Sequence, residues 1–266
     1  MMDRTAVVTG AFGGLGLAIC RRLAEDGLTI AALDRPDADR EAEFRRQMTA
    51  AHGKARVMVI PVNVTDAASV AQAFEQVIGQ TGRVDVLVNN AGIREIVSPL
   101  ELSFEEWNRV LAVNLSGPFL CSQAAARAMI QGKSGGSIIN IASITGLVGV
   151  ESRAAYCSTK HGLIGLTRSL TADLGPHGIR VNAVCPGLTV TPLTSSYAGT
   201  PEMQRALATT VPLAGGLAEP EDIAHAVSFL AGPGSRFVSG VSIPVDGGFV
   251  ATKSYDPAGL SAAFRS

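Results

Sequence analysis

The 266-residue sequence is poor in the residues that staple small folds or line aromatic grooves: it has four cysteines, and aromatics make up 5%. Cys20, Cys121, Cys157 and Cys185 are widely spaced, with no C-x-x-C pair and no Cys/His cluster. That pattern argues against a zinc site or a disulfide framework and predicts packed, reduced thiols with no metal. Nor is there an apolar stretch long enough for a signal peptide or a membrane span. The start Met1-Met2-Asp3-Arg4 runs straight into Thr5-Ala6-Val7-Val8, so a cytoplasmic protein is expected. Lysine and arginine number 22 against 23 aspartates and glutamates, a net charge of −1. With no basic run to grip phosphate backbones or lipid headgroups, nucleic acid and membrane are poor partners and small molecules better ones. What the chain does have is glycine, 29 residues of it, and the question is where those residues sit.

Short β-branched runs recur at Thr5–Thr9, Leu28–Leu33, Arg56–Val62, Val84–Val88, Ser137–Ile141, Arg180–Val184 and Val241–Val245. Helical patterns fall between them at Pro36–Ala51, Asp66–Gln80, Ser103–Ile130, Ala155–Leu174 and Glu221–Leu230. Continuous apolar strands separated by crossover-length helices predict a doubly wound α/β fold: one domain over 1–266, a seven-stranded parallel sheet with helices on both faces. Pro118 lies inside the third helical pattern. It removes a backbone donor and crowds the preceding turn, so that helix should kink or divide just after Asn114. The stretch 191–216, with Pro192, Pro201 and Pro212, is long for a connection; it reads as a substrate lid or, alternatively, as a decorative insertion.

The first strand leads into Gly10-Ala11-Phe12-Gly13-Gly14-Leu15-Gly16 and then a helix. In that context Gly10 permits the turn, Gly14 the approach of backbone to a pyrophosphate, and Gly16 close packing of helix on strand. The helix N-terminus supplies donors for the anion. The second strand closes on Asp34, whose carboxylate can accept hydrogen bonds from both hydroxyls of an adenosine ribose and repels a 2′-phosphate, which predicts NAD. No basic residue precedes Gly14; Arg35 is the nearest cation in sequence to Asp34.

The Thr-Gly-x-x-x-Gly-x-Gly spacing at Thr9–Gly16, Asn89-Asn90-Ala91-Gly92 and Tyr156-Cys157-Ser158-Thr159-Lys160 together resemble the short-chain dehydrogenase/reductase family. The resemblance extends to Asn114, to Ser143 in Asn140-Ile141-Ala142-Ser143, to Pro186-Gly187 and to Asp246-Gly247-Gly248, and so covers nearly the whole chain. It implies a Rossmann fold and a cofactor lined by Gly10, Gly14, Leu15, Gly16, Asp34, Asn63, Val64, Asn90, Tyr156, Lys160, Pro186, Gly187, Thr189 and Thr191. Asn63 departs from the family's usual aspartate, but an amide keeps donor and acceptor capacity for an adenine.

Dehydrogenating an alcohol requires a base for the hydroxyl proton while hydride leaves the carbon. A free phenol, titrating near 10, is too weak a base at neutral pH. Lys160 follows Tyr156 by four residues on one helical face. At ~4 Å and an effective dielectric of ~20 its charge favours the phenolate by ~4 kcal/mol, about 3 pKa units. The family resemblance gives Ser143 the substrate oxygen and Asn114 a supporting place, its amide near the kink holding a water that carries protons from Lys160. Catalytic Asn114, Ser143, Tyr156 and Lys160 are therefore expected. Cys157, next to Tyr156, lacks the His/Asn setting a nucleophile needs.

Charged residues flank this centre: Arg94 and Glu95 after Gly92-Ile93, Glu151 and Arg153 before Tyr156. The stretches 89–94 and 140–160 are similar to those of bacterial 3-hydroxybutyrate dehydrogenases, with Arg94 in place of glutamine, Thr145 in place of histidine and Arg153 in place of lysine. With Ser143 and Tyr156, the residues Arg94, Glu95, Thr145, Glu151 and Arg153 make the candidate substrate set for a small polar or anionic alcohol such as a hydroxy acid, sulfonate or sugar-like molecule. Alternatively the two arginines and two glutamates pair into a surface network. The same resemblance implies a homotetramer to which the tail, about 251–266, contributes. Two rivals remain at this point: a 3-oxoacyl-carrier-protein reductase, and a nucleotide-sensing protein of the same fold without catalysis.

Overall fold

The computed structural model describes residues 4–51, 56–192, 194–213 and 216–252. The strands are β1 (Thr5–Thr9), β2 (Thr29–Asp34), β3 (Val57–Pro61), β4 (Val86–Asn89), β5 (Gly136–Ile141), β6 (Ile179–Pro186) and β7 (Ser242–Val245). They form one seven-stranded sheet in the order β3-β2-β1-β4-β5-β6-β7, every pair parallel. The predicted class therefore stands. Order reverses between β1 and β4, the topological switch point at which the carboxyl ends of an open sheet leave a crevice.

Alternation along the strands feeds two cores. Ala6 and Val8 of β1 face α1 (Gly14–Glu25) and α9 (Pro220–Ala231), joining Ile19, Leu23, Ile223 and Val227. Val7, between them, faces the other way into a cluster with Val70, Phe74 and Val77 of α3 (Ala67–Thr81) and Met129 of α5 (Gly117–Gln131). All three β1 side chains are fully buried. Each large aliphatic side chain enclosed in this way contributes about 1.5–3 kcal/mol, so a strand covered on both faces reads as unbroken apolar sequence.

Local signals set the element ends. Asp66 caps α3 by accepting from Ala68 N at 2.9 Å, as its place in the sequence predicts. The single helix expected over Ser103–Ile130 is divided, as Pro118 requires, into α4 (Phe104–Leu111), a π-helical turn at Ala112–Ser116 and α5, with Pro118 in the first turn of α5. The division begins two residues before Asn114 rather than just after it. The stretch 191–216 is more ordered than its composition suggests, carrying α7 (Ser195–Ala198) and α8 (Pro201–Thr210). Thr200 caps α8 by accepting from Met203 N, ahead of Pro201 in the first turn. Of the tail 251–266, all but Ala251 and Thr252 lies outside the described residues.

Candidate active site

The carboxyl ends of β1, β2, β4, β5 and β6 converge on one crevice. Gly10 has φ of +65°, and a Cβ there would lie 2.8 Å from Ala91 Cα. A Cβ on Gly16 would lie 2.2 Å from the Gly10 carbonyl oxygen, so both positions admit glycine alone. α1 begins at Gly14 with Gly13 as its N-cap and no side chain on its donors. Leu15 packs against the core from the helix start. Asn90 braces the turn: its Nδ2 donates to the carbonyls of Thr9 and Gly10, both at 3.0 Å, while Thr9 Oγ1 accepts from Asn90 N and Ala91 N.

Asp34 ends β2 as expected, its side chain only 10% exposed. Oδ2 accepts from Phe12 N and Oδ1 from Arg35 N, each at 2.8 Å, which fixes the carboxylate while leaving each oxygen a second lone pair. A nicotinamide dinucleotide fits these features: a glycine cradle that a Cβ would fill, helix donors without a side-chain cap, and an acceptor-only group at the ribose end. Val64 packs over Gly117, and Asn63 Oδ1 accepts from Thr65 N and Oγ1, forming a turn at the far edge of the crevice. On the other side Gly187, after Pro186, packs on Asp246, and Thr189 bridges to Ala218. Thr194, which sequence reading passed over, ties this segment together. Its hydroxyl donates to Thr189 O and accepts from Thr191 N, and the segment leans on the glycine turn, where a Cβ on Gly14 would come 2.8 Å from Pro192 Cδ.

The four residues expected to be catalytic come together. Asn114 is wholly buried in the π turn; its Oδ1 accepts from Ile93 N at 2.9 Å, and its Nδ2 donates to Ile93 O at 2.8 Å and to Thr159 Oγ1. Ser143, two residues beyond the end of β5, caps the turn Ile144–Gly146 by accepting from Thr145 N at 3.1 Å, so its own O–H remains a donor toward Tyr156. Burial raises the Tyr156 phenol above its ordinary value of 10. The hydrogen bond with Ser143 and the charges of Arg94 and Arg153 pull it back. Lys160 contributes differently from the direct charge contact expected of it. Its Nζ donates to Ile141 O at 2.7 Å and sits 5.5 Å from the centre of the Tyr156 ring, and burial lowers its own pKa to about 8.

Around Tyr156 the candidate substrate residues part company. Arg94 Nη1 donates to the hydroxyl of Tyr197 in α7 at 2.5 Å, the guanidinium lying 5.1 Å from that ring's centre. Tyr197 was not predicted; in the segment 191–216, read as a lid, only Thr191 carried an assigned role. Glu95 turns inward, buried, and accepts from Tyr156 N at 3.0 Å. Glu151 is exposed on the turn before α6 (Ala154–Leu174), and Thr145 is buried. The network alternative, arginines paired with Glu95 and Glu151, is not what these side chains form among the described residues.

A family model described as enoyl-(acyl carrier protein) reductase matches residues 10–250. The chain is 36% identical to meso-2,3-butanediol dehydrogenase of Serratia marcescens over 94% of its length and 96% of that protein. It is 41% identical to cis-4-hydroxycyclohexanecarboxylate dehydrogenase of Sinomonas cyclohexanicum, covering 94% of this chain and 97% of the other. Identity to the 3-oxoacyl-[acyl-carrier-protein] reductase of Staphylococcus aureus is 38%, over 93% and 98% of the two chains. Among solved structures, levodione reductase superimposes with a TM-score of 0.89 at 28% identity, covering 95% of this chain and all of that one. The glycine turn, the Ser143–Tyr156–Lys160 cluster and these likenesses agree: the chain belongs to the short-chain dehydrogenase/reductase family and is an oxidoreductase acting on CH–OH groups.

Proposed function

We propose that this enzyme is an NAD-dependent dehydrogenase that reversibly oxidises a small secondary alcohol bearing an anionic group, a hydroxy acid or a sulfonate, to the ketone. The observation that carries the anionic reading is the division of charge around Tyr156: the two arginines act on its phenol, while Glu95 is turned away into the start of α6 and Glu151 points to solvent. A mouth with two guanidinium groups suits a forked oxyanion. The 41% identity to an enzyme named for a hydroxycyclohexanecarboxylate supports the same class.

Tyr156 takes the hydroxyl proton, with Ser143 donating to the substrate oxygen and holding it against the phenol. A nicotinamide dinucleotide held by the Gly10–Gly16 turn and Asp34 would supply the acceptor for the hydride that leaves the carbinol carbon. Lys160 steadies the ring of Tyr156 and Asn114 anchors the Ile93 loop, its place beside Lys160 suiting a water that relays protons. NAD rather than NADP is favoured by the fixed Asp34 carboxylate and by Gly13 where a basic residue would serve a 2′-phosphate. We further propose a cytoplasmic homotetramer; among the described residues no helix is long and apolar enough to cross a membrane.

Arg94→Ala and Arg153→Ala are expected to raise KM for the best hydroxy acid by about 10- to 100-fold, the weight of one charge-assisted contact, while KM for NAD stays level. Unchanged kinetics on that substrate sinks the anionic assignment. NADH and NADPH fluorescence titrations followed by hydroxy acids, polyols and acyl thioesters separate the rivals. Tighter NADPH with thioester turnover favours the acyl-carrier-protein reductase, to which the chain is 38% identical. Nucleotide binding with no turnover favours a sensor. A monomer by light scattering rejects the tetramer.

A further inference from the structure

Helix α6 carries both Tyr156 and Lys160, yet its start lacks the usual support. The first N–H groups of a helix have no partner within it, and a Ser, Thr, Asp or Asn at the N-cap commonly accepts from one of them. Here the N-cap is Arg153, whose side chain makes no capping hydrogen bond. The missing acceptor arrives from a distant segment: Glu95 Oε1 accepts from the backbone N–H of Tyr156 itself at 3.0 Å.

The loop that delivers Glu95 is anchored at alternate residues. Ile93 exchanges two hydrogen bonds with the Asn114 side chain, Glu95 caps Tyr156, and Val97 N donates to Ser152 O at 2.9 Å. Ser152 has φ of +56°, a left-handed conformation that costs a non-glycine residue about 1 kcal/mol or more and is retained where surroundings hold it. Both sides of the Arg153 cap are thus pinned to the same five-residue stretch.

Glu95 is only 5% exposed, and its second oxygen, Oε2, is buried without a hydrogen-bond partner among the described residues. Neither oxygen is therefore offered to a substrate in the crevice. A carboxylate held in this way, against the positive end of a helix, is stabilised by the peptide dipoles and is expensive to place unless its location matters.

We propose that Glu95 is a positioning residue: its carboxylate caps the catalytic helix at Tyr156 and so sets where the phenol stands relative to Ser143 and the reacting alcohol. The inference rests on Tyr156 being the base, as proposed above. Misplacement by about 1 Å at a reacting group is enough to lose on the order of 100-fold in rate, and the cap is one peptide unit from the tyrosine side chain.

The test compares Glu95→Ala, Glu95→Asp and Glu95→Gln, with Tyr156→Phe alongside. Alanine removes the acceptor, aspartate keeps the charge but falls one methylene short, and glutamine keeps an acceptor at the same reach. Alanine and aspartate are expected to lower kcat by about 10- to 100-fold with KM for the alcohol within about threefold. The kinetic pKa of the base should move upward as the phenol loses its register with Ser143, and NADH affinity should stay level. Glutamine should restore most of kcat. If the alanine variant does not fold, the glutamine and aspartate pair still decides the matter at matched melting temperatures. A rise in KM with kcat intact makes Glu95 a substrate ligand and overturns the proposal, as does a glutamine variant as impaired as alanine, or kcat and pH profile unchanged throughout. Activity retained by Tyr156→Phe would instead overturn the assignment of the base, whatever Glu95 does.

Discussion

At the nucleotide end of the crevice, Thr9, Asn90 and Asp34 hydrogen-bond to backbone partners, with the Arg40 guanidinium 4.0 Å from Asp34 Oδ2, and Gly10 and Gly16 are hemmed in by their own neighbours' main chain. At the substrate end, long side chains from three separated segments meet one another: Arg94 with Tyr197, Glu95 with the start of α6, Arg153 beside Tyr156. The contrast suits the two tasks. A pyrophosphate and ribose are the same for every enzyme of the class and can be met by rigid backbone, whereas the alcohol differs and is met by side chains that substitution can change without disturbing the sheet.

The sharpest way to break the comparison is at the rigid end. Gly16→Ala places a methyl 2.2 Å from a main-chain oxygen that cannot step aside, so we expect loss of NADH binding and about 3 kcal/mol or more of stability, read by fluorescence titration and thermal melting. Wild-type binding in that variant would mean that the turn is softer than its packing implies.

Lys160 belongs to both ends, and its burial has a stability consequence. With a pKa lowered to about 8 from the usual 10.5, the folded chain binds this proton less tightly than the unfolded chain does. Its charge therefore disfavours folding below about pH 8, and that penalty fades as pH rises from about 8 toward 10.5. Lys160→Met should lower kcat by about 100-fold or more yet raise stability at pH 7 by about 2 kcal/mol, with less gain in melting temperature between pH 7 and 9 than wild type shows. A variant less stable than wild type at pH 7 contradicts the sign. The smallest effect belongs to the substrate end: Tyr197→Phe removes one hydroxyl from Arg94 and should raise KM for an anionic alcohol by about threefold with kcat unchanged, measured in steady state.

How much of this was legible in the sequence follows the same division. Strand runs placed all seven strands within about two residues of where they lie, because parallel strands buried on both faces leave an unbroken apolar signal. Gly10, Gly16 and Asp34 were readable since their spacing is local and tied to strand ends, whereas Ser143 was singled out through the family resemblance and lies beside Tyr156, with Lys160 one helical turn on. Pro118 announced a break that proved to be a π turn. The side of the pocket that faces substrate was not readable. Whether Glu95 pairs with an arginine or caps a helix 61 residues away depends on tertiary placement, and short-range charge order suggested the wrong partners. The helices of 195–210 were a different kind of miss: Thr200-Pro201-Glu202 is a start signal, outweighed by the prolines around it.

The three motif glycines also differ in what hems them in. For Gly10 and Gly16 the obstacle is fixed main chain, whereas for Gly14 it is the ring of Pro192, a side chain from the segment that follows β6. In genetic terms one of the three defects is suppressible from a distance: Pro192→Ala should rescue a Gly14→Ala enzyme, and no single second change should rescue Gly16→Ala.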